Sequence, residues 1–568
     1  MLAGVEEPIA GPSNRIAHFR PRLLEALADY NRSRFAADLG AGLTVGIVAL
    51  SLCIGLGIAS GVGPAAGLYA GVVGGFLVSA LGGTRVQIGG PAGAFVGLVA
   101  LMAADLGLAN LLLCTMLAGA MLFLMGLLKL GNLIKFIPHP VTTGFTCGIA
   151  VTILVTQISP FLGLTPEHEP AEFLPRMAAL FRAGATLHWP TLGLSLLALA
   201  ILLLWPKRWS RVPASIVAVV AGTVLVAVFR APVETIGSRF GGIPQGLPVP
   251  AWPEIDWPHL GQLIRPAFTI ALLGAVESLL SAVVADGLVD DRHDSNQELM
   301  GQGIANVASG LCGGLPVTGV IARTATNIRS GAATPVAGMI HAGVLLAVLL
   351  VAAPLAADIP LCVLAAVLIV VAVRMGDWEE FALLRRKPRS DAVVFVTTFT
   401  LTVLFDLTVA VEVGLVLAAF LFIKRIADTT QVHAMAGGTA APFPGGQGHE
   451  KVADVPKGVV IYRVFGALLF GSAEKLDNVI RRAGGKTDVI ILHMAAVTAL
   501  DATALNRIEL LHAKLRRHKQ HLILSGPHTQ PYFAMEKAGF FDVLGRENVC
   551  ADLETAVARS RELLAAGR

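Results

Sequence analysis

Residues 267–289 read AFTIALLGAVESLLSAVVADGLV: an apolar run broken only by small residues, hydroxyls and two acids. About 20 such residues suffice for a helix to cross a bilayer. Glu277 stands in the middle of this run. A carboxylate at that depth is costly unless it faces a polar cavity, so an intramembrane acid marks an ion or substrate pathway. The fold therefore has to be read as that of a membrane transporter, working outward from this segment.

The composition agrees. The chain of 568 residues is 55% hydrophobic and 14% charged, with a mean hydropathy of +0.71. A soluble domain carries about 25% charged residues. The deficit is confined to residues 37–426, whereas 456–568 is of ordinary mixed charge. This predicts a cytoplasmic segment at 1–36, a transport domain at 37–426, a linker at 427–455 and a soluble domain at 456–568. Basic residues gather at the ends of apolar runs, which reports topology rather than contact with nucleic acid. The six cysteines form no CxxC pair, so neither a disulfide framework nor a zinc site is expected. Residues 1–36 are polar and Arg-bearing, without the pattern of a cleavable signal. With no P-loop or metal-ligand cluster, the sequence points to no cofactor and not to an enzyme.

Apolar segments begin at 38–60, 65–82, 91–104, 109–129, 139–158, 189–205 and 213–229, and again at 266–289, 296–312, 322–332, 335–354, 360–375, 391–405 and 407–424. Threading them alternately puts Lys129, Lys135, Lys207, Arg208, Arg211, Arg374, Arg385 and Lys424 on one side, with both termini. That side is the cytoplasm by the positive-inside bias. The long loops 159–188 and 230–265 fall outside. Twelve full spans with two re-entrant pieces satisfy the same bias.

A faint duplication recurs at an offset of about 220–230 residues, as in transporter repeats. Segment 38–60 matches 266–289, QIGGPAGAF at 87–95 matches GLPVTGVIA at 314–322, and Pro140 matches Pro360. Each first copy starts on the opposite side from its second, which implies inverted repeats of seven segments. The two short Gly/Pro-interrupted segments occupy corresponding places. Broken helices of this kind point their free N–H groups and positive dipole ends at an anion. Gly-mediated helix packing is the bland alternative, but a symmetric pair favours the site. Arg323, just after the second break, would add positive field there unless it snorkels to water. Thr318 and Thr324 are candidate hydroxyl donors. Glu277 and Ser281 share a helix face at i, i+4. Buried, Glu277 could carry a proton near neutral pH, or with Ser281 ligate a cation such as sodium. Asp286 is expected to be solvated near the inner interface, and Glu412 is a second candidate buried acid without an evident partner.

Taken together, QIGGPAGAF at 87–95, ESLLSAVVADG at 277–287 and ELMGQGIANVASGLCGGLPVTGVIARTATNIRSGA at 298–332 resemble the SulP family of sulfate permeases and related anion transporters. The resemblance spans nearly the whole chain. It implies a polytopic all-α membrane protein of 14 segments in a seven-plus-seven inverted repeat, shared with uracil permeases. It also implies a core domain moving against a gate domain, and a homodimer in the lipid bilayer. By the same resemblance the anion lies between the starts of the third and tenth segments, at Ala92, Gly93, Ala94 and Phe95 and at Ala322, Arg323 and Thr324. Glu277 supplies the acid of the eighth. The chain departs from the family in its first segment: Ser51 stands in place of a proline and Leu56 in place of an aromatic ring. Both alter the wall of the site, so the substrate does not carry over. Glu277 stands where sodium-coupled members tend to have Asp, which favours a proton as coupling ion.

The tail reads as alternating strands (458–464, 488–494, 521–525) and helices (501–517, 530–538) after a Gly/Ala/Pro-rich linker at 434–450. It resembles a STAS domain, an α/β module. Thr503 stands at the phospho-acceptor position of related anti-sigma antagonists, but Ala504 replaces the glycine of that motif. The reading is a helix N-terminus capped by Asp501. A nucleobase–cation symporter is the rival within the fold. A membrane-anchored sensor is the rival from another class, and it would need neither an intramembrane acid nor paired broken helices.

Overall fold

A computed structural model describes residues 19–132, 138–168, 170, 172–206, 213–243, 245–253, 260–405, 407–435, 455–472, 475–476 and 487–566. The expected cytoplasmic side of Lys135, Lys207, Arg208 and Arg211, the chain before residue 19 and most of the linker lie outside these residues. The contacts divide the chain into two units, Met1–Leu415 and Val416–Arg568.

In lipid every peptide group must be bonded within the protein, so spanning segments form helices. Each of the fourteen expected segments is helical. They are α1 (Arg32–Ala59), α2 (Pro64–Leu81), α3 (93–106), α4 (108–127), α5 (His139–Leu162), α6 (Trp189–Leu204) and α7 (Ala214–Phe229). The second set is α8 (Leu260–Val289), α9 (Ser295–Leu311), α10 (Ile321–Arg329), α11 (Val336–Ala356), α12 (Leu361–Met375), α13 (Arg389–Leu404) and α14 (Leu407–Thr429). Gly107, at φ 78 and ψ 168, separates α3 from α4. Among the described residues, seven helices are long and apolar enough to cross a membrane without help from a neighbour. The shortest, α10, is a half-helix. Residues 159–188 and 230–265 were expected as loops, but they contain the helices Phe173–Arg182 and Ile236–Phe240. Leu180 of the first is buried with Val155, Leu164 and Ala183, a small apolar cluster that the flanking prolines obscure in the sequence.

Helices α1–α4 and α8–α11 pack chiefly on one another, as do α5, α6, α12 and α13. The two broken segments meet inside the first group. Strands β1 (Gly89–Pro91) and β2 (Val317–Gly319) pair antiparallel, with Gly89 opposite Gly319, Gly90 opposite Thr318 and Pro91 opposite Val317. The three-residue ladder centres on the Gly90–Thr318 pair. This is one residue away from the sequence match, which set Pro91 on Thr318. Glycines make the room. A Cβ on Gly74 of α2 would lie 2.5 Å from Val317 Cγ1, and one on Gly67 would lie 1.9 Å from the Cys53 carbonyl oxygen of α1. Small residues allow this approach of helix backbones.

The second unit contains a five-stranded sheet in the order β3 (Gln431–Met435), β4 (Val459–Leu468), β5 (Val489–Leu500), β6 (His521–Ser525) and β7 (Val549–Cys550). Strand β3 is antiparallel to β4, and the other pairings are parallel. Helices α15 (Ala502–Arg517), α16 (Gln530–Lys537) and α17 (Leu553–Ala566) accompany it. Leu492 and Leu524 pack with Ile508 and Leu511 of α15, while Ile491 and Ile523 pack with Ala556 and Val557 of α17. A parallel sheet covered on both faces explains strands without polar alternation. β4 and β5 run past their expected ends to Leu468 and Leu500. The expected linker at 427–455 starts later than the sequence suggests. Helix α14 runs to Thr429, and residues 431–435 form an edge strand held by hydrogen bonds to β4. Asp501 caps α15 as expected, its Oδ1 accepting from the Ala504 N–H at 2.8 Å.

The glycine contacts generate a stability prediction. Gly67→Ala should destabilise the detergent-solubilised protein by at least about 1–3 kcal/mol, because its methyl meets backbone rather than a movable side chain. Gly40→Ala, where nothing lies within 4 Å, should leave the melting temperature unchanged. Equal melting of the two variants would refute the packing argument.

Candidate functional site

Helices α3 and α10 each begin just after a strand of the β1–β2 pair. The chain enters α3 through a single turn at Gly93–Phe95, and enters α10 at Ile321. Neither start carries a side-chain cap. Backbone bonding into the preceding residues begins only at the Phe95 N–H, which donates to Ala92 O (3.2 Å), and at the Thr324 N–H, which donates to Val320 O (2.9 Å). The first amides of an uncapped helix are free to receive an acceptor. Ala92, Ala94 and Phe95 are buried with Leu56 of α1 in one apolar cluster, and Ala322 is exposed. The structure thus assembles four of the expected residues around the start of α3. Ser51 is different: it is buried, and its hydroxyl donates to Val48 O of its own helix at 3.1 Å.

Arg323 does not snorkel. It is 2% exposed, and its guanidinium lies beneath β1, with Nη2 donating to Pro91 O at 3.2 Å and Nη1 3.6 Å from Cys53 Sγ. Gly90 is required here, since a Cβ would lie 2.6 Å from Nη1. The expected hydroxyls brace the crossing. Thr324 Oγ1 accepts from the Ile88 N–H (3.0 Å), and Thr318 Oγ1 donates to Gly274 O (3.0 Å). Ser281 Oγ lies 3.3 Å from Thr324 Oγ1.

Glu277 is half-buried on α8, with no hydrogen bond or ion pair to a described residue. It stands one turn before Ser281, whose hydroxyl is turned to Thr324. The two other acids read from the sequence need correction. Glu412 is not a buried acid without a partner, because its carboxylate is 42% exposed and meets Arg265 Nη2 at 2.9 Å. Asp286 is not merely solvated, because His293 Nδ1 lies 2.7 Å from its Oδ2.

The sequence reading missed Glu298. It is 1% exposed and fully bonded. The Gly83 N–H (2.9 Å) and Thr84 Oγ1 (3.0 Å) donate to Oε2, while Ser278 Oγ (3.0 Å) and Gln302 Nε2 (3.0 Å) donate to Oε1. Gln87 joins this network through Ser278 and Thr84. Four donors stabilise a buried carboxylate where an unpaired one would be expelled. The signal available was an acid near the start of an expected span, with Gln302 one turn on.

A cleft of about 460 Å³ reaches this region. Ala94 and Gly97 of α3 line it, with Thr152 and Thr156 of α5, Thr402 of α13, and Arg176 from the helix Phe173–Arg182. It therefore lies between the two helix groups and touches the first turn of α3.

Comparisons with known proteins agree with this architecture. A family model described as the sulfate permease family matches residues 35–398, and one described as a STAS domain matches 450–556. The putative sulfate transporter YvdB of Bacillus subtilis is 40% identical over 522 residues, covering 91% of this chain and 96% of YvdB. The bicarbonate transporter BicA of a Synechocystis species is 34% identical over 401 residues, covering 68% of this chain and 70% of BicA. The solved structure of the murine anion transporter Slc26a9 has a TM-score of 0.84 at 17% identity, covering 98% of this chain and 97% of that one. This likeness concerns the fold, which is the seven-plus-seven inverted repeat with a C-terminal STAS domain. These relatives are named as transporters, not enzymes. The chain belongs to the sulfate permease family of multi-pass anion transporters.

Proposed function

We propose that this protein is a secondary active anion transporter of the bacterial inner membrane. It carries sulfate, bicarbonate or a small dicarboxylate such as succinate or fumarate, together with a proton, by alternating access. It acts as a homodimer with both termini in the cytoplasm. The observation that carries this reading is the pair of uncapped helix starts at the β1–β2 crossing, with a buried guanidinium behind them. Backbone N–H groups at Gly93–Ala94 and Ile321–Ala322 hold the anion, and Arg323 contributes charge from beneath β1. Phe95 and Leu56 form the apolar wall. A site built from peptide dipoles in a low-dielectric interior attracts an anion without needing a buried lysine.

Glu277 carries the coupling proton in this reading. It is an intramembrane acid without a partner among the described residues, unlike Glu298, whose two oxygens accept from four donors. When neutral it spares a nearby anion like-charge repulsion; when ionised it repels the anion. This supplies the differential interaction that coupling requires. One arrangement favours a second reading. The Ser281–Thr324 hydroxyl pair stands one turn from Glu277 and offers oxygens for a sodium ion.

Three experiments bear on this reading. Proteoliposomes should accumulate one of labelled sulfate, bicarbonate or succinate when an inward proton gradient is imposed. Glu277→Gln should still bind that anion but lose the stimulation. Retained proton-driven accumulation in this variant, or accumulation that follows sodium at fixed pH, would move the assignment to the cation site. Arg323→Ala should weaken anion binding by about 2 kcal/mol, roughly thirtyfold in Kd. An unchanged Kd in a folded Arg323→Ala protein would remove the guanidinium from the site. Deleting residues 451–568 should leave anion binding in place while altering rate or assembly. Loss of binding by a correctly inserted truncated protein would show that the soluble domain is part of the site.

A further inference from the structure

Beneath the crossing, the protein buries more polar chemistry than its hydrogen bonds use. The two terminal nitrogens of Arg323 face Pro91 O and Cys53 Sγ, but its Nε has no partner among the described residues. His341 of α11 is wholly buried, and neither ring nitrogen has a partner. The Gly338 carbonyl, one turn earlier, approaches the ring without reaching hydrogen-bond geometry. The two side chains lie within electrostatic reach of each other, both near β1. A Cβ on Gly90 would be 2.6 Å from Arg323 Nη1. One on Gly75 would be 3.0 Å from Gly89 O and 3.4 Å from His341 Cε1.

Three orphan nitrogens side by side in an apolar interior are unusual, because buried polar groups are nearly always paired, directly or through an ordered water. The pattern also restricts the charge state. An imidazolium close to a buried guanidinium would be repelled strongly in a low dielectric. A neutral imidazole instead offers one acceptor nitrogen, which is what Nε lacks, and one N–H donor.

We propose that His341 is a positioning residue for Arg323: its neutral ring accepts from Nε through one trapped water and so holds the guanidinium against Pro91 O behind the anion. This rests on the reading of Arg323 as a source of positive field at the site. It assigns a role to a buried side chain that touches neither the anion nor Glu277. A histidine kept only for packing would be replaceable by leucine at no cost to affinity beyond a general loss of stability.

The test is a double-mutant cycle in proteoliposomes. The best-transported of labelled sulfate, bicarbonate and succinate serves as probe, with thermal melting measured in parallel. His341→Leu should raise KM by roughly five- to twentyfold with little change in kcat, and His341→Gln, which keeps an acceptor, should recover most of it. In an Arg323→Ala background, His341→Leu should add nothing further. Equal increments in both backgrounds, or a Gln variant no better than the Leu variant, overturn the proposal. If Arg323→Ala itself leaves KM unchanged, the anion-site reading of Arg323 has failed, and melting decides the link separately. Destabilisation by His341→Leu only when Arg323 is present supports it, and equal destabilisation in both backgrounds refutes it. Failure of His341→Leu to fold, relieved by Arg323→Ala, likewise counts for the proposal; failure in both backgrounds counts against it.

Discussion

Breaking a helix inside a membrane leaves peptide groups that no water can satisfy, and the rest of this transport unit is arranged around that demand. The two broken segments answer it by pairing with each other as β1 and β2. Side chains from neighbouring helices meet what remains. Asn306 of α9 both accepts from the Val317 N–H (2.9 Å) and donates to Val317 O (2.8 Å). Asn327 Nδ2 donates to Val86 O at 2.9 Å, and Thr324 receives the Ile88 N–H. With the strands satisfied in this way, the first turns of α3 and α10 beside them still carry no side-chain cap. The bonding that makes the break tolerable thus also isolates the amides suited to an anion.

The same economy governs charge. Glu298 and Arg323 are both buried, but they are handled differently. Glu298 is saturated by donors from the loop before β1 and from α8 and α9, so it ties those elements together. Arg323 is held by a carbonyl of β1, so its charge stays behind the strand. Glu277, by contrast, has no such ties among the described residues and stands outside the network that joins these elements. Asp38 shows the structural extreme: its carboxylate accepts from the Ala333 and Thr334 N–H groups at 2.7 and 3.0 Å and anchors α1 to the start of α11.

Close helix approach is the third requirement. The crossing occupies volume that side chains would otherwise fill, and glycines on α2 yield it. Gly71, Gly74 and Gly75 face Cys53, Val317 and Gly89 in turn. A π-turn at Ala70–Gly74 covers the first two of them. Such turns re-aim a helix face where a site needs it.

Much of this was legible in the sequence because the bilayer imposes a one-dimensional rule. A segment must be apolar and of a certain length, so fourteen segments, two breaks and the intramembrane acid Glu277 could be read directly. The soluble domain was legible because its strands and helices alternate and Asp501 caps locally. What could not be read depends on contacts between distant residues. The register that sets Gly90 on Thr318, the four donors around Glu298, the Arg265 partner of Glu412 and the approach of His341 to Arg323 all join residues that are not neighbours in the chain. Hydropathy counts each residue's own preference, whereas burial of a charge or a peptide group is decided by what is brought beside it. The sequence by itself determined where the chain crosses and where it breaks. Only the tertiary structure decided which polar groups are bonded and which are left free to bind.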